Sequence, residues 1–453
     1  MKISMSFVTL IALAVFFGGC SSVTPPEGAA FVYPGLTKTF TVDSVPAANE
    51  ISWFLDDVEV QSGGTSFQYT APVDEIISRT LTANIEYLYG SKTYTRTYTW
   101  NITNNTDEAP GSPDNPHITT GPGPWFEGWY TRVSDVAGSR SIAIIVASSL
   151  PQGQYYTPGE YLPGKINVLI SEGDGAPTYS YTVYPEQTMA LVEGEPVSTN
   201  PVPYSIADFE WVAEGFGTVT EDSVVISIPG VVDVNVQTEN RLPFNIFDPE
   251  IGPYGTLDAF PLPLRWWIHS LGSDATYLYT VHSGDNAGTY SGTGYTHLEK
   301  NWGASFPVGW IWTQGIAAGN EAQFVMSTAE VDFGLFLLDT YIGAFRSPNV
   351  NWDYMFSMPQ LTFIREHDGC AGTFHFEIMD STLDRHLIFD ASTPPETFGY
   401  VSTPSPTGFE PETGVESFSA TVDVWAYEGG TLLDHQVFYN AALEFGTGWA
   451  CLD

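Results

Sequence analysis

Basic residues are scarce in this sequence. Its 453 residues include 14 Lys or Arg against 53 Asp or Glu, which gives a formal net charge of −39 at pH 7. Nucleic acids and anionic membrane surfaces are bound through basic patches, so we expect neither to be a natural partner. The imbalance does not indicate disorder, because 43% of the residues are hydrophobic and 14% are aromatic, enough to build packed cores.

Common motifs of metal, nucleotide and hydrolase sites are absent as well. The sequence contains no H-E-x-x-H, EF-hand loop, P-loop or G-x-S-x-G pattern. His375, Glu377, Asp384 and His386 lie close together in the sequence, but so low a density of histidines and acids arises by chance. We therefore predict no cofactor and no metal site.

Helical periodicity is also missing. From residue 125 onward, short runs typical of strands, such as 141–147 and 373–378, are separated by turn residues. This pattern predicts an all-β chain of many antiparallel strands, as in sandwiches and barrels. The length is sufficient for about two to four domains.

Only three cysteines are present, and the first indicates export. Lys2 is followed by the apolar run 3–17, two glycines and Cys20, the order of a secretory signal. A cysteine after two small residues resembles a bacterial lipobox, so we predict a signal peptide over residues 1–19 and lipidation of Cys20. An ordinary signal peptide that ends near a cysteine is the alternative. The apolar run is too short to span a membrane comfortably.

The predicted location follows from that lipid. The mature protein would be anchored in the bacterial cell envelope through its N-terminal lipid and would not cross the membrane. Ser21 directly after Cys20 favours the outer membrane. The remaining cysteines, Cys370 and Cys451, form an even pair in an exported chain, which makes them a disulfide candidate. Two unpaired buried thiols are the alternative.

Composition divides the part before residue 125 into three segments. Residues 20–30 are rich in Pro, Gly and Ala and are predicted to form a tether. Residues 31–104 contain short alternating strands with Trp53 in the second, which suggests an immunoglobulin-like sandwich and resembles bacterial Ig-like modules. Residues 105–124 are rich in Asn, Asp, Pro and Gly and are predicted to be a linker.

Two tryptophan-rich motifs follow the linker. Residues 294–314 read GYTHLEKNWGASFPVGWIWTQ, and residues 125–130 read WFEGWY. Both resemble segments of tocopherol cyclases and their bacterial relatives, although three residues separate Tyr295 from Glu299 where that pattern has one. The resemblance covers about residues 115–453. It implies two packed lipocalin-like β-barrel domains, which we place at 125–318 and 319–453, with a ligand cavity at or near their junction.

The first motif offers a candidate acid. If residues 125–130 are extended, Glu127 and Trp129 share one face of the strand. A carboxyl group buried against an indole has a raised pKa and can protonate an alkene. The resemblance implies such chemistry, because tocopherol cyclases close a chromanol ring by alkene protonation and phenol attack, and related hydratases add water to a double bond. Alternatively, Glu127 pairs with Arg132, Lys300 or a backbone donor and only holds strands together.

The other candidates have similar alternatives. Glu299 and Lys300 point to opposite faces of a strand, so only one can enter a cavity. His269 is a candidate proton relay, although a lone histidine is more often part of a core. The candidate catalytic residues are thus Glu127, His269 and Glu299. The candidate ligand-binding residues are the aromatic and polar side chains of the two motifs, which could equally fill a barrel core: Trp125, Trp129, Tyr130, Lys300, Trp302, Trp310, Trp312 and Gln314.

Two functions remain open at this level. The first is a cofactor-free cyclase, isomerase or hydratase that protonates an alkene of an isoprenoid or other lipophilic small molecule in an apolar pocket. The second is a surface lipoprotein that binds or carries a hydrophobic ligand without converting it. Both need an aromatic cavity. They differ in whether acidic groups converge on that cavity.

Overall fold

A computed structural model describes most of the chain after residue 22. The described residues are 23–24, 28–32, 37–42, 48–72, 78–89, 92–103, 116–119, 121–173, 175–192, 194–197, 209–244, 252–254, 262–332, 337–355, 358 and 360–452. The predicted signal peptide, Cys20, most of the tether and much of the linker therefore lie outside the described residues. No helix within the described ranges is long and apolar enough to cross a membrane.

The chain divides into two compact units. The first unit, residues 1–112 with 201–204, contains eight of the described strands. They are β1 (Val23–Thr24), β2 (Gly28–Phe31), β3 (Thr37–Val42), β4 (Ala48–Leu55), β5 (Val58–Ser62), β6 (Ser66–Thr70), β7 (Ser78–Tyr89) and β8 (Lys92–Thr103).

These strands form two sheets around one core. The sheet orders are β1-β3-β6 and β2-β8-β7-β4-β5. Trp53 and Trp100 are completely buried and stack on each other, and Phe40 of the smaller sheet packs against Trp100. The predicted sandwich arrangement is therefore present, whereas its likeness to an immunoglobulin domain stays an expectation.

The second unit, residues 113–200 with 205–453, contains two long antiparallel sheets. The first sheet has the strand order β12-β11-β10-β9-β20-β19-β18-β17-β16-β15-β13-β14. Its strands are β9 (Trp125–Asp135), β10 (Arg140–Leu150), β11 (Gly164–Ser171), β12 (Tyr179–Val183), β13 (Thr188–Val192), β14 (Glu195–Pro196), β15 (Phe209–Ala213), β16 (Gly217–Thr220), β17 (Ser223–Ile228), β18 (Val232–Glu239), β19 (Leu264–Val281) and β20 (Gly288–Gly303).

The second sheet begins with the strand that carries Trp310 and Trp312. Its order is β24-β23-β22-β21-β30-β29-β27-β26-β25, and β28 pairs with β29 outside this path. Its strands are β21 (Gly309–Ile316), β22 (Gln323–Asp332), β23 (Leu337–Arg346), β24 (Asn351–Met355), β25 (Leu361–Asp368), β26 (Thr373–Asp380), β27 (Arg385–Ser392), β28 (Gly399–Ser405), β29 (Gly408–Glu428) and β30 (Thr431–Thr447).

Both sheets curl until distant strands approach each other. In the first, Thr188 of β13 forms an antiparallel bridge with Leu162, directly before β11. In the second, the ring of Tyr341 on β23 packs 4.9 Å from that of Phe363 on β25, although neither strand pairs with the other. The prediction of an all-β chain with two packed, barrel-like antiparallel sheets is therefore confirmed.

The boundary between the two sheets differs from the predicted position. We placed it between residues 318 and 319, but β21 already pairs with β22 and β30 of the second sheet. The chain therefore passes from the first sheet to the second between Gly303 and Gly309. The segment 294–314 is not a hairpin, because its two strands belong to different sheets. The structure also contains the disulfide between Cys370 and Cys451, which joins the turn between β25 and β26 to the segment after β30.

Candidate functional site

A cavity lies between the facing surfaces of these two sheets. Apolar side chains from both sheets form one cluster there, among them Trp266 of β19, Trp312 of β21 and Ile342 of β23. The cavity has a volume of about 140 Å³ and is partly open to solvent. A dry cavity of about 150 Å³ is large enough to hold benzene. The enclosed part therefore has room for one ring, and a longer ligand would extend through the mouth.

Strand pairing explains why the first sheet leaves this space. One row of directly paired residues crosses five neighbouring strands and lines the cavity. From β11 through β10, β9 and β20 to β19, this row consists of Lys165, Ala147, Gly128, Asn301 and Trp266. Directly paired residues point to the same face of a sheet. The small residues in the middle of this row leave the floor of the cavity open, with Lys165 and Trp266 at its two ends.

The second sheet contributes a corresponding row. This row of directly paired residues runs from β29 through β30, β21 and β22 to β23. It consists of Glu416, Glu444, Trp312, Ser327 and Ile342. All except Glu416 line the cavity, and Glu416 is completely buried behind them. Two carboxyl groups therefore occupy neighbouring positions, where Cβ atoms of antiparallel partners lie about 4.5–5.5 Å apart.

Gly446 makes room for another indole of this sheet. A Cβ atom on Gly446 would lie 1.9 Å from Cζ2 of Trp310, so the ring occupies the space where a side chain would be. The indole Nε1 of Trp310 donates a hydrogen bond of 2.5 Å to Oε1 of Glu444. The glycine thus allows Trp310 to lie flat on the sheet and to hold Glu444.

Four oxygen-bearing side chains form what we call the carboxyl cluster: Tyr130, Glu299, Glu416 and Glu444. The hydroxyl of Tyr130 donates to Oε1 of Glu416 at 2.6 Å, which joins the two sheets. Glu299 accepts a hydrogen bond of 3.1 Å at Oε2 from Nε1 of Trp312, and His297 lies 2.8 Å from the same oxygen. Glu299 and Glu444 line the cavity, so carboxyl groups reach it from both sheets.

The environment of two members of this cluster, Glu416 and Glu444, favours the protonated carboxyl group. Burial raises the pKa of Glu416 well above its usual range, and the charge of Glu444 raises it further. The hydrogen bond from Tyr130 and the charge of Arg132 lower this pKa but do not outweigh burial. Burial also raises the pKa of Glu444 to about 7, although the hydrogen bond from Trp310 opposes it. Neighbouring carboxyl groups titrate as a pair. The pair can therefore hold a proton near neutral pH and release it to a bound molecule.

Lys165 is the cation among the lining residues. Its ammonium donates a hydrogen bond of 2.5 Å to the carbonyl oxygen of Ser402 and lies 5.6 Å from the ring centre of Phe409. Burial lowers its pKa to about 8, and the charges of Glu444 and Glu416 partly offset this. The cavity thus contains both a buried cation and groups able to carry a proton.

Glu127 has a different environment from the one expected for a catalytic acid. It belongs to what we call the Lys300 cluster: His117, Glu127, Lys300 and Trp302. Nζ of Lys300 lies 3.0 Å from Oε1 of Glu127, and the backbone N–H of His117 donates to Oε2 at 2.8 Å. Burial alone would raise the pKa of Glu127, but the charge of Lys300 and the bonds from His117 lower it below its usual value.

Of the two alternatives for Glu127, the ion pair with Lys300 is therefore the one that the structure contains. The pKa of Glu127 is lowered rather than raised, and its side chain is not among those that line the cavity. The reason is the pairing partner. Trp302 lies directly opposite Glu127 on β20, so Lys300, two residues earlier, emerges on the same face. The ring of His117 stacks on Trp302 with centroids 4.3 Å apart, which completes the enclosure of the ion pair.

The remaining predicted residues fall into three groups. Four of them line the cavity: Glu299, Tyr130, Trp310 and Trp312. Trp129 borders it, although its ring stacks on Phe209 at 4.7 Å. The others lie elsewhere: Lys300 and Trp302 in the Lys300 cluster, Trp125 in a separate small apolar cluster, Gln314 against Arg132, and His269 at a β-bulge.

His269 and Gln314 illustrate why position in a motif is a weak guide. His269 is the extra residue of the bulge between Ile268 and Ser270, and it is not among the lining residues. Gln314 continues the face of Trp312 but is fully buried, and its Oε1 accepts a bond of 2.5 Å from Arg132 across the two sheets. Neither residue reaches the ligand space.

The sequence did not identify three candidate functional residues: Lys165, Glu416 and Glu444. None lies in a recognisable motif, and each is one of many charged residues on alternating strands. A usable signal existed only for Glu444, which interrupts the apolar run 441–445 of a predicted strand. A charged residue within such a run has to find a partner or a cavity.

Comparisons with known proteins give limited information. No family model matches the chain, and no curated protein matches it. Among solved structures, CghA with Sch210972 is similar at 13% identity over 75% of this chain and 94% of that chain, with a TM-score of 0.48. Kievitone hydratase from Nectria haematococca is similar at 12% identity over 76% and 97%, with a TM-score of 0.36.

Proposed function

We propose that this chain is a cofactor-free enzyme that adds a proton to an alkene of a lipophilic small molecule, as in a cyclase, isomerase or hydratase. The observation that supports this proposal most strongly is the neighbouring pair Glu416 and Glu444 at an aromatic cavity. Both groups have a raised pKa, and Glu444 lines the cavity. A general acid works best when its pKa lies near the working pH.

The residues around the pair suit each stage of such a reaction. Glu444 gives its proton to one alkene carbon, which leaves a positive charge on the other carbon. The faces of Trp266, Trp310 and Trp312 stabilise that charge, because indole rings attract cations. An oxygen nucleophile, either a hydroxyl of the same molecule or water, then attacks the cation. It loses its proton to the carboxylate of Glu444, which restores the enzyme.

Glu299 assists from the opposite sheet. Its Oε2 is held by Trp312 and His297, and no hydrogen bond to Oε1 is found among the described residues. This carboxyl group is therefore oriented towards the cavity by fixed partners. A carboxylate there would stabilise the developing cation electrostatically.

Solvent deuterium tests the proposal directly. The full chain would be incubated in D₂O with a prenylated hydroquinone, a molecule that offers both an alkene and a hydroxyl nucleophile. We expect mass spectrometry to show a cyclised or hydrated product that carries deuterium at carbon. Glu444→Gln should lower the rate about 100-fold or more, the usual contribution of a general acid.

The matched control is Glu410→Gln, which neutralises an exposed glutamate on the same strand as Glu416 and should keep the wild-type rate. Binding without deuterium incorporation, for this and other lipophilic alkenes, would instead identify a carrier of a hydrophobic ligand. A wild-type rate in Glu444→Gln would show that the acid is not Glu444.

The proposal also includes location in the bacterial cell envelope. It relies on the sequence alone, through the lipobox-like Cys20. In a bacterial host the wild-type chain should sediment with membranes, and Cys20→Ser should release it into the soluble fraction. A chain that stays soluble with Cys20 intact would contradict the lipid anchor.

A further inference from the structure

Lys165 is a buried charge that the proposed proton transfer does not use. Its side chain is 4% exposed, and an ammonium can donate three hydrogen bonds. Among the described residues the structure gives it one acceptor, the carbonyl oxygen of Ser402, and no carboxylate within ion-pair distance. Burying a charge without a counter-ion is unfavourable unless something else supplies the opposite charge.

The neighbouring acids fill this need only in part. Glu444 and Glu416 are the titratable groups whose charges act on Lys165, but among the described residues neither carboxyl group lies within ion-pair distance of its ammonium. Both carboxyl groups have a raised pKa, that of Glu444 being about 7, so the pair is only partly ionised near neutral pH. The ammonium therefore has no carboxylate directly against it among the described residues.

The position of Lys165 directs that charge at the ligand space. It begins the row Lys165, Ala147, Gly128, Asn301 and Trp266, in which the next two members are small. No long side chain of this row stands between the ammonium and the floor of the cavity. Four strand spacings separate it from Trp266, a distance on the order of 19 Å along the sheet.

We propose that Lys165 binds a negatively charged oxygen of the ligand, so that the natural ligand is an apolar molecule bearing a carboxylate, phenolate or enolate. This inference rests on the proposed function in one respect, namely that the cavity receives a lipophilic molecule. The ligand lies with its charged oxygen on Lys165 and with its apolar body along the indoles towards Trp266. An isoprenoid hydrocarbon without such an oxygen would leave the ammonium unpaired.

A matched pair of probes isolates this charge. 1-Naphthoate and 1-naphthamide have the same ring system and similar shape, but only the first is anionic. Isothermal titration calorimetry on the full chain should show naphthoate binding about 10- to 100-fold more tightly than naphthamide, as expected for a charge-assisted hydrogen bond. In Lys165→Met this preference should vanish while naphthamide still binds, which also shows that the variant is folded.

The pH dependence and a conservative variant provide further readouts. As the pH rises through about 8, the ratio of the naphthoate affinity to the naphthamide affinity should fall further in wild type than in Lys165→Arg. Lys165 then loses its charge, whereas Glu444 ionises in both proteins. Lys165→Arg should retain the preference above that pH, since guanidinium stays protonated.

Three outcomes are informative. Equal affinities of wild type for the two probes would overturn the proposal for Lys165 but leave the cavity as a lipophilic site. A preference that survives in Lys165→Met would also overturn it. Failure of both probes, and of larger lipophilic molecules, to bind would instead contradict the proposed function itself.

Discussion

The carboxyl cluster and the Lys300 cluster both contain buried glutamate beside tryptophan but have opposite electrostatics. Glu299 and Glu444 of the first accept hydrogen bonds from Trp312 and Trp310, and Glu127 of the second is paired with Trp302. In the Lys300 cluster an ammonium lies 3.0 Å from Glu127, and the pKa of that carboxyl falls. In the carboxyl cluster burial raises the pKa of Glu416, and the charge of its paired neighbour Glu444 adds to this. Burial is common to both, so the partner decides the protonation state.

The comparison also separates structural from chemical roles. The ion pair of the Lys300 cluster is fully enclosed and joins β9 to β20 within one sheet. The carboxyl cluster joins two sheets and faces a space that a ligand can enter. A charged pair with no access to a cavity is suited to holding strands together, whereas protonated acids at a cavity are suited to catalysis.

The largest expected difference between the clusters is in turnover. Glu444→Gln should reduce deuterium transfer to the alkene about 100-fold or more, because amides do not act as general acids near neutral pH. The double variant Glu127→Gln/Lys300→Met neutralises the other cluster as a pair and should keep the wild-type rate per folded molecule. A slow double variant together with an unaffected Glu444→Gln would reverse the assignment of the two clusters.

The free energy of unfolding should depend more on the Lys300 cluster than on the carboxyl cluster, the reverse of their order for turnover. Lys300→Met leaves the carboxylate of Glu127 buried without its counter-ion, so we expect the free energy of unfolding to drop by about 3–5 kcal/mol. Urea denaturation followed by tryptophan fluorescence would measure it. Removing Glu127 as well should recover much of the loss. A drop below about 1 kcal/mol would mean that water reaches the ion pair.

The pH dependence of stability should distinguish the clusters further. The folded state holds a proton on Glu444 up to about pH 7, whereas an ordinary glutamate releases it near 4.5, so wild-type stability from this group falls as the pH rises between these values. Glu444→Gln has no proton to lose at this position and is spared this loss of stability. The variant should therefore gain roughly 1–3 kcal/mol relative to wild type between about pH 5 and about pH 8.

Glu127 should show the reverse sign, because its folded pKa is lowered. Its contribution is present above the ordinary carboxyl pKa and is lost as the pH falls through the folded value. Thermal unfolding of wild type, Glu444→Gln and Glu127→Gln/Lys300→Met across this range would test both signs. Parallel curves for all three proteins would show that neither carboxyl has a perturbed pKa.

The smallest effect concerns the bond between the two sheets. Tyr130→Phe removes the hydroxyl that donates to Glu416 but keeps the ring against Trp312. We expect a loss of about 1 kcal/mol in the free energy of unfolding, the usual net value of one hydrogen bond. Because the hydroxyl favours the charged form of Glu416, the variant should hold the proton on that carboxyl still more tightly. Infrared spectra of the carboxyl C=O stretch would report this change.

The alternation of apolar residues was a sound basis for the fold and a poor one for the site. An all-β chain follows from short runs of period two with turn residues between them, since this pattern acts locally. The location of Trp310 and Trp312 at a cavity followed from their shared face on one strand. The sequence left two alternatives open for Glu127, because whether it meets Lys300 or a ligand depends on pairing with β20, about 170 residues along the chain.

The sequence by itself determined the all-β class of the chain, because alternation of apolar residues between turns acts locally. Only the tertiary structure decided which acids become neighbours. Glu416 and Glu444 become neighbours through the register of β29 with β30, and Lys165 faces them from the other sheet. Protonation depends on distances of a few ångströms between side chains far apart in the sequence, and those distances exist only once both sheets are packed.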